Sequence, residues 1–252
     1  MRLEQDWHIH TFRSLCGKPD STVPAIVAKL DSRGIRLAGI SDHIDIREQR
    51  EWFTDVVRQN RADLAALNPR CKVLVGTEAT MLDPQTCALE ADLAAELDFV
   101  IVACNHYHLE QVENPLTETP QAYADHYLDM VLGATELGFA TTVSHPFLHG
   151  KLPPEKAFET LQCYDEGRLR DVLRAAAKAG MAFEINPGYL VHAMDWLREL
   201  LQEARAQGTK FTLGSDAHTL SQLGYEPWNG KLDPATLVDE LGLRESDLKW
   251  AA

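Results

Sequence analysis

The chain has 252 residues, of which 45% are hydrophobic and 25% are charged. That length is normal for one α/β barrel and the composition is typical of a packed globular protein, so we expect a single domain over residues 1–252. The formal net charge of −14 argues against nucleic-acid partners, because such proteins present basic surfaces to phosphates.

The chain also lacks the sequence signals of a membrane or secreted protein. No apolar run is long enough to span a bilayer, and residues 1–6 carry acidic and polar side chains where a signal peptide would be apolar. The five cysteines are scattered, odd in number and without a Cys-x-x-Cys pair, which argues against a disulfide framework and a zinc ribbon. We therefore expect a cytoplasmic protein with reduced thiols and no membrane partner.

Short apolar runs alternate with amphipathic segments along the chain. The runs predict strands at residues 3–8, 36–41, 72–77, 99–104, 139–144, 181–185 and 210–213. The segments between them predict helices that include residues 24–31, 52–67, 122–137, 169–179 and 194–206. This alternation indicates an α/β fold with a parallel sheet. Seven strands favour a closed or nearly closed barrel, and an open doubly wound sheet is the alternative.

Each predicted strand ends in an imidazole or a carboxylate. In chain order the segments are His8-Ile9-His10, Ser41-Asp42-His43, Gly76-Thr77-Glu78, Asn105-His106-Tyr107-His108, Ser144-His145-Pro146, Glu184-Ile185-Asn186 and Ser215-Asp216-Ala217-His218. In a parallel barrel the carboxyl ends of the strands form one face, and the reacting groups lie there. We therefore expect these side chains to converge on one site.

The types and spacing of these side chains predict a metal centre. Side chains two residues apart on a strand point to the same side, so His8 and His10 can bind one ion, and Asp216 and His218 repeat this spacing. Neutral imidazoles and carboxylates suit Zn²⁺, Mn²⁺ and Fe²⁺. The two oxygens of Glu78 can bridge two ions. The candidate ligands exceed the needs of one tetrahedral ion, so we expect two or three divalent ions.

Other ionisable residues have simpler explanations. We expect His126, His149 and His192 to be ordinary hydrogen-bonded residues. Asp6 and Asp42 are expected to orient the ligands rather than to bind metal.

The remaining charged residues near the strand ends are left outside the predicted site. Glu184 allows three interpretations, as a ligand, as a carboxylate that orients a metal-bound histidine, or as a helix cap. Arg13, Lys18 and Lys151 lie on the expected face by loop position and could contact a phosphate. Because solvated surface charges are the better explanation for these three, we do not assign them to the site.

The ordered set of segments resembles the polymerase and histidinol phosphatase (PHP) family. The similarity covers roughly residues 6–220 and rests on the motifs in their order, from Asp6-Trp7-His8-Ile9-His10-Thr11 to Gly214-Ser215-Asp216-Ala217-His218. The resemblance implies a distorted seven-stranded (β/α)7 TIM-like barrel that binds three metal ions and hydrolyses phosphate esters.

The resemblance also implies which side chains bind each ion. Glu78 would serve two ions, and Glu78 and Asp216 are the carboxylates expected to be catalytic. The implied sets are His8, His10, Glu78 and Asp216 for the first ion, Glu78, His106 and His145 for the second, and His43 with His218 for the third.

The sequence departs from the family pattern in two places. The family often supplies another histidine for the third ion in the loop after the first strand, where this chain reads Arg13-Ser14-Leu15-Cys16-Gly17. Cys16 could replace that histidine as a thiolate, or the third site could be weak or empty. The fourth strand is one residue longer, so His106 and His108 compete for one role.

The favoured function is hydrolysis of a phosphate ester on a small phosphorylated molecule by a hydroxide held between two ions. Three alternatives stay open: an amidohydrolase-type enzyme acting on an amide or lactone, a nuclease-like phosphodiesterase, and a metal-binding protein without turnover. The acidic charge argues against the nuclease. We expect the loops at residues 109–120, at residues 147–164 and from residue 189 onward to form the substrate walls, and the sequence does not identify the substrate.

Overall fold

Strands and helices alternate along the chain, as the periodicity predicts. The computed structural model describes residues 4–147, 152, 154–186, 193–224 and 238–250. The strands are β1 (Gln5–Ile9), β2 (Leu37–Ile40), β3 (His43–Ile44), β4 (Lys72–Val75), β5 (Thr77–Asp83), β6 (Thr86–Cys87), β7 (Val100–Ala103), β8 (Thr142–Val143), β9 (Ala182–Ile185) and β10 (Lys210–Leu213). The helices are α1 (Val23–Arg33), α2 (Arg50–Ala65), α3 (Ala91–Ala94), α4 (Pro120–Glu136), α5 (Pro154–Leu161), α6 (Glu166–Lys178) and α7 (Met194–Gln207), with 3₁₀ turns at Arg47–Gln49 and Glu245–Asp247.

The parallel strands form two hydrogen-bonded sections that join into one barrel wall. One section has the order β1-β2-β4, and the other has the order β10-β9-β8-β7-β5-β3. Strands β4 and β5 follow a single path interrupted at Gly76, whose N–H donates to the Ile40 carbonyl at 2.8 Å. The Glu78 N–H donates to the Ser41 carbonyl at 3.2 Å, between β2 and β3. If β2 with β3 and β4 with β5 are each counted as one strand, the described residues contain the seven parallel strands that the sequence predicts.

The first and last strand paths lie side by side at their carboxyl ends. The N–H of His10 donates to the Ala217 carbonyl at 2.9 Å, and the Ala217 N–H donates to the His8 carbonyl at 3.2 Å. Helices cover the outer side of the sheet, with α4 packed on α5 and α6 and α6 packed on α7. The predicted α/β fold, a distorted TIM-like barrel, is therefore confirmed.

The predicted helices are present, and capping residues explain where two of them begin. Thr22 accepts a hydrogen bond from the Ala25 N–H before α1, and Thr119 accepts one from the Ala122 N–H before α4. A proline occupies the first turn of each helix, where its missing N–H costs nothing. None of the helices in the described part of the chain is both long and apolar enough to cross a membrane.

One hairpin was not anticipated. The predicted third strand ends at residue 77, whereas β5 continues to Asp83 and the chain returns antiparallel as β6, with Met81 opposite Cys87. The turn is stabilised by the Asp83 side chain, which accepts a hydrogen bond from the Gln85 N–H at 2.6 Å. The hairpin is therefore formed by the strand that carries Glu78.

Candidate metal centre

The side chains predicted as ligands lie together at the carboxyl ends of the strands. Six of the eight line a cavity of about 420 Å³, and His8 and His10 are completely buried against them. Alternation along β1 produces this placement. The side chains that face the barrel interior are those of Asp6, His8 and His10. Trp7, between Asp6 and His8, packs edge-on against Phe99 with ring centroids 5.3 Å apart.

The first implied ligand set forms one compact group. The ligand atoms of His8, His10, Glu78 and Asp216 all lie within 4.8 Å of one another. The Nε2 atom of His8 is 3.1 Å from Glu78 Oε2, and the Nε2 atom of His10 is 3.2 Å from Asp216 Oδ1. The unprotonated nitrogens and the carboxylate oxygens can therefore face a common point.

The second implied set uses the other oxygen of Glu78. Its Oε1 atom lies 2.8 Å from His145 Nε2 and 3.7 Å from His106 Nε2, whereas its Oε2 atom faces His8 and His10. One carboxylate thus presents one oxygen to each of two neighbouring groups, which is the arrangement that a bridging ligand requires.

The third implied pair has two further neighbours. The ligand atoms of His43 and His218 lie within 4.8 Å of those of His10 and Cys16. The His10 ring stacks on both His43 and His218, with centroid distances of 4.6 Å in each case. His10 is therefore within reach of two of the groups.

Hydrogen bonds around His106 separate it from its competitor His108. The hydroxyl of Thr80 donates to Asp45 Oδ1 at 2.7 Å, so it accepts from the Nδ1–H of His106 at 2.9 Å. This leaves the Nε2 atom of His106 unprotonated and directed at Glu78. Burial lowers the pKa of His106 well below its usual value, which favours the neutral, metal-binding form. His108 is exposed at the cavity wall and belongs to none of the groups found among the described residues.

This difference can be measured as metal content. We expect His106→Ala to lose about one bound ion per chain, because it removes one of the few donors of its site. His108→Ala should keep the full content, because its ring only lines the cavity wall. Elemental analysis of both variants after reconstitution and gel filtration checks this expectation. Loss of metal from the His108 variant alone would reverse the assignment.

Glu184 orients two candidate ligands and belongs to none of the ligand groups formed by the described residues. Its Oε1 atom accepts from the Nδ1–H of His8 at 2.7 Å, and its Oε2 atom accepts from the His145 backbone N–H at 2.6 Å. The first contact fixes the tautomer of His8 so that Nε2 faces Glu78 and Asp216. Of the three interpretations of Glu184, the geometry supports the orienting one.

Two buried aspartates hold the loops that carry ligands. Asp6 accepts from the Ser215 N–H at 2.9 Å, and burial raises the pKa of Asp6 to about 6 despite this bond. Asp42 accepts from the Thr11 N–H at 2.6 Å and from the Asn60 amide at 2.7 Å. Neither carboxylate belongs to a ligand group within the described ranges.

The residues left out of the predicted site lie elsewhere or are not described. His126 bonds with Glu113 Oε1 at 3.1 Å and with the Tyr107 hydroxyl, away from the cavity. Arg13 pairs with Asp63 at 2.8 Å. His149, Lys151 and His192 lie outside the described residues, as does the predicted substrate wall at residues 189–192.

Sequence reasoning missed Asp45. Its Oδ1 atom lies 3.6 Å from His43 Nδ1 and accepts from the Thr80 hydroxyl that orients His106, and Asp45 forms a further potential ligand group with these two histidines. The available signal was its position two residues after His43, the same spacing that identifies His8 with His10.

The backbone at two candidate ligands adopts a conformation that side chains other than glycine rarely take. His145 has a φ of 27° and Asp216 has a φ of 53°. Contacts on both sides hold His145 there, since its N–H binds Glu184 and its carbonyl accepts from the Asn105 amide at 2.9 Å. Such conformations cost roughly 1–3 kcal/mol each and concentrate at functional sites.

The electrostatics of the site suit cations. Burial raises the pKa of Glu78, but the surrounding imidazoles lower it more strongly, so the carboxylate stays ionised. Burial lowers the pKa of His10, but the interactions with Asp216 and Cys16 together outweigh burial and raise it to about 10. The protons on these imidazoles occupy the place that a divalent ion takes when it binds. The buried Nδ1 atom of His43 makes no hydrogen bond within the described residues, which also fits a metal ligand.

A parallel barrel with imidazoles and carboxylates gathered at its strand ends defines a class of protein, the metal-dependent hydrolases. The family model of the PHP domain matches residues 6–188, and the chain belongs to this family. None of the curated proteins matches the chain by sequence.

Three solved structures illustrate the likeness of fold. Histidinol phosphate phosphatase from Lactococcus lactis, solved with zinc, L-histidinol and phosphate, is 18% identical with a TM-score of 0.63, over 96% of this chain and 94% of its own. A chain from the structures of YwqE of Bacillus subtilis and CpsB of Streptococcus pneumoniae, metal-dependent tyrosine phosphatases, is 18% identical with a TM-score of 0.44, over 94% and 92%. Ochratoxinase from A. niger is 11% identical with a TM-score of 0.47, over 95% and 67%. The similarity to the Lactococcus lactis structure shows that this chain shares its fold.

Proposed function

We propose that the chain is a phosphatase that hydrolyses the phosphate ester of a small molecule with the help of two or three divalent ions. The observation that carries the proposal is the position of Glu78, whose two oxygens face two different groups of imidazoles. A pair of neighbouring ions is suited to an in-line displacement at phosphorus, because it can stabilise both the attacking and the leaving oxygen. Membership of the PHP family and the zinc and phosphate of its Lactococcus lactis relative support this choice.

Each group of side chains has a role in this reaction. Bound divalent ions would activate water and neutralise the charge of the phosphoryl oxygens. His8, His10, Glu78 and Asp216 would hold one ion, and Glu78, His106 and His145 another. Glu184 keeps the unprotonated nitrogen of His8 directed into the site. Because these groups are held before the substrate arrives, little reorganisation is needed during the reaction.

The proposal is tested by removing and restoring the metal. Purified protein should contain about two to three transition-metal ions per chain, from the ligand count. Dialysis against a chelator should abolish phosphate release, and addition of Zn²⁺ or Mn²⁺ should restore it. The substrates are p-nitrophenyl phosphate, sugar phosphates, nucleotides and histidinol phosphate, with an amide and a lactone as controls.

Two results would contradict the proposal. Protein that binds no ion after reconstitution is not a metalloenzyme. Reconstituted protein that cleaves the amide or the lactone but no phosphate ester is a hydrolase of a different substrate class. A linear DNA phosphodiester in the same panel separates a nuclease from a phosphatase.

A further inference from the structure

A thiol lies among the imidazoles at the cavity. The Sγ atom of Cys16 is within 4.8 Å of the ligand nitrogens of His10, His43 and His218. We propose that these four side chains form a sulfur-containing metal site that selects a soft divalent ion such as Zn²⁺. The two neighbouring sites, by contrast, consist of nitrogen and oxygen donors.

The loop after β1 fixes the position of the thiol. The Ser14 N–H donates to the Thr11 carbonyl at 3.0 Å, and the Gly17 N–H donates to the Ser14 carbonyl at 3.2 Å. A Cβ atom on Gly17 would lie 1.9 Å from the Thr11 oxygen, so this close approach requires glycine. The Lys18 N–H then donates to the His218 carbonyl at 3.0 Å. The loop is thereby attached to the segment that carries one of the imidazoles.

The loop is also attached to the segment of His43. The His43 backbone N–H donates to the Ser14 hydroxyl oxygen at 3.2 Å, and that hydroxyl lies 3.4 Å from Cys16 Sγ. The sulfur is therefore held between the segments that follow β2 and β10. Its position does not depend on the flexible end of a long side chain.

Charge and softness both favour a metal at the sulfur. A cysteine that binds a metal does so in its thiolate form. The thiolate is the only anionic donor among these four side chains, so it supplies the charge that a divalent cation requires. Thiolate ligands favour Zn²⁺ over Mn²⁺, because zinc is the softer ion.

The other described cysteines show what a structural thiol looks like in this chain. Cys87 and Cys104 are buried in the apolar core, where burial raises the pKa of both thiols. Cys163 is partly exposed, and its thiol donates to the Glu159 carbonyl at 3.3 Å. Cys16 alone among the five belongs to a ligand group in the described part of the chain.

The test uses cobalt as a spectroscopic probe of the full-length protein. It rests on the same cavity as the proposed function, but it reads absorption and metal content rather than turnover. Metal-free protein is titrated with Co²⁺, because cobalt bound to a thiolate gives a near-ultraviolet charge-transfer band. We expect the band in the parent protein and in Cys163→Ser, the control with a similarly exposed thiol. We expect Cys16→Ser to lack the band and to bind about one ion fewer.

A second variant keeps the test decisive if the serine variant folds poorly. Cys16→His should bind as many ions as the parent protein and lack the sulfur band. The proposal is overturned if the parent protein shows no band, or if the band survives in Cys16→Ser. If the protein shows the band but releases no phosphate, the sulfur site is supported and the phosphatase is rejected. If it releases phosphate but shows no band, the phosphatase is supported and the sulfur site is rejected.

Discussion

Replacement of Glu78 by glutamine is expected to reduce phosphate release by at least about a hundredfold, the scale on which electrostatic catalytic groups act. Glutamine preserves the shape of the side chain but removes the charge that balances two neighbouring cations. The carboxylate oxygens lie 3.1 Å from His8 Nε2 and 2.8 Å from His145 Nε2, so a single change affects both ligand groups. The turnover number and the metal content of the variant are measured after reconstitution.

The matched control for this variant is His126→Ala. His126 also binds a carboxylate, since its Nε2 atom lies 3.1 Å from Glu113 Oε1. Unlike Glu78, it lies away from the cavity. Turnover of this variant should stay close to that of the parent protein. Mild losses of equal size in the two variants would contradict the assignment of Glu78 as the shared ligand.

Replacement of Glu184 by glutamine is expected to weaken metal binding by roughly 10–100-fold, the usual effect of losing a group that orients a metal ligand. The two oxygens of Glu184 accept one hydrogen bond from the His8 ring and one from the His145 backbone. A glutamine has one oxygen and one NH₂ group, so one of these donors would face another donor. Titration against a competing chelator measures the affinity.

The rate at high metal concentration separates this variant from Glu78→Gln. Because Glu184 contacts ligands and not the reacting atoms, an excess of Zn²⁺ or Mn²⁺ should restore most of the turnover of Glu184→Gln. The same excess should not restore Glu78→Gln. Glu113→Gln is the control, since this carboxylate binds the peripheral His126. An unchanged metal affinity in Glu184→Gln would mean that the carboxylate does not orient His8.

The strand ends were predictable because two simple rules apply to them. Residues two apart on β1 face the same side, and parallel strands place their carboxyl ends on one face. These rules place His8, His10, Glu78 and Asp216 together without knowledge of any loop. The barrel itself follows from the alternation of apolar runs with amphipathic helices. The assignment of ions to the ligands stays a prediction.

Features that depend on loop conformation were not predictable in the same way. Strand β3 is only two residues long, so the spacing of two between His43 and Asp45 lacked the longer alternation that marks a strand. The choice between His106 and His108 depends on a hydrogen bond from the ring to Thr80, which lies on a different strand. The distance of Cys16 from three imidazoles depends on the turn at Gly17. The contact of His106 with Thr80 and the approach of Cys16 to His43 and His218 join segments that are far apart in the sequence.

The charged side chains of the cavity predict an order of binding under the proposed function. Asp45, Glu78 and Asp216 all line the cavity, and the charge of the whole chain is −14. In the metal-free protein the protonated imidazoles offset these carboxylates, and divalent ions that replaced those protons would add positive charge in a site that is partly shielded from water. Under the proposed function we therefore expect the ions to bind before the phosphate ester, so metal depletion should weaken substrate binding as well as turnover.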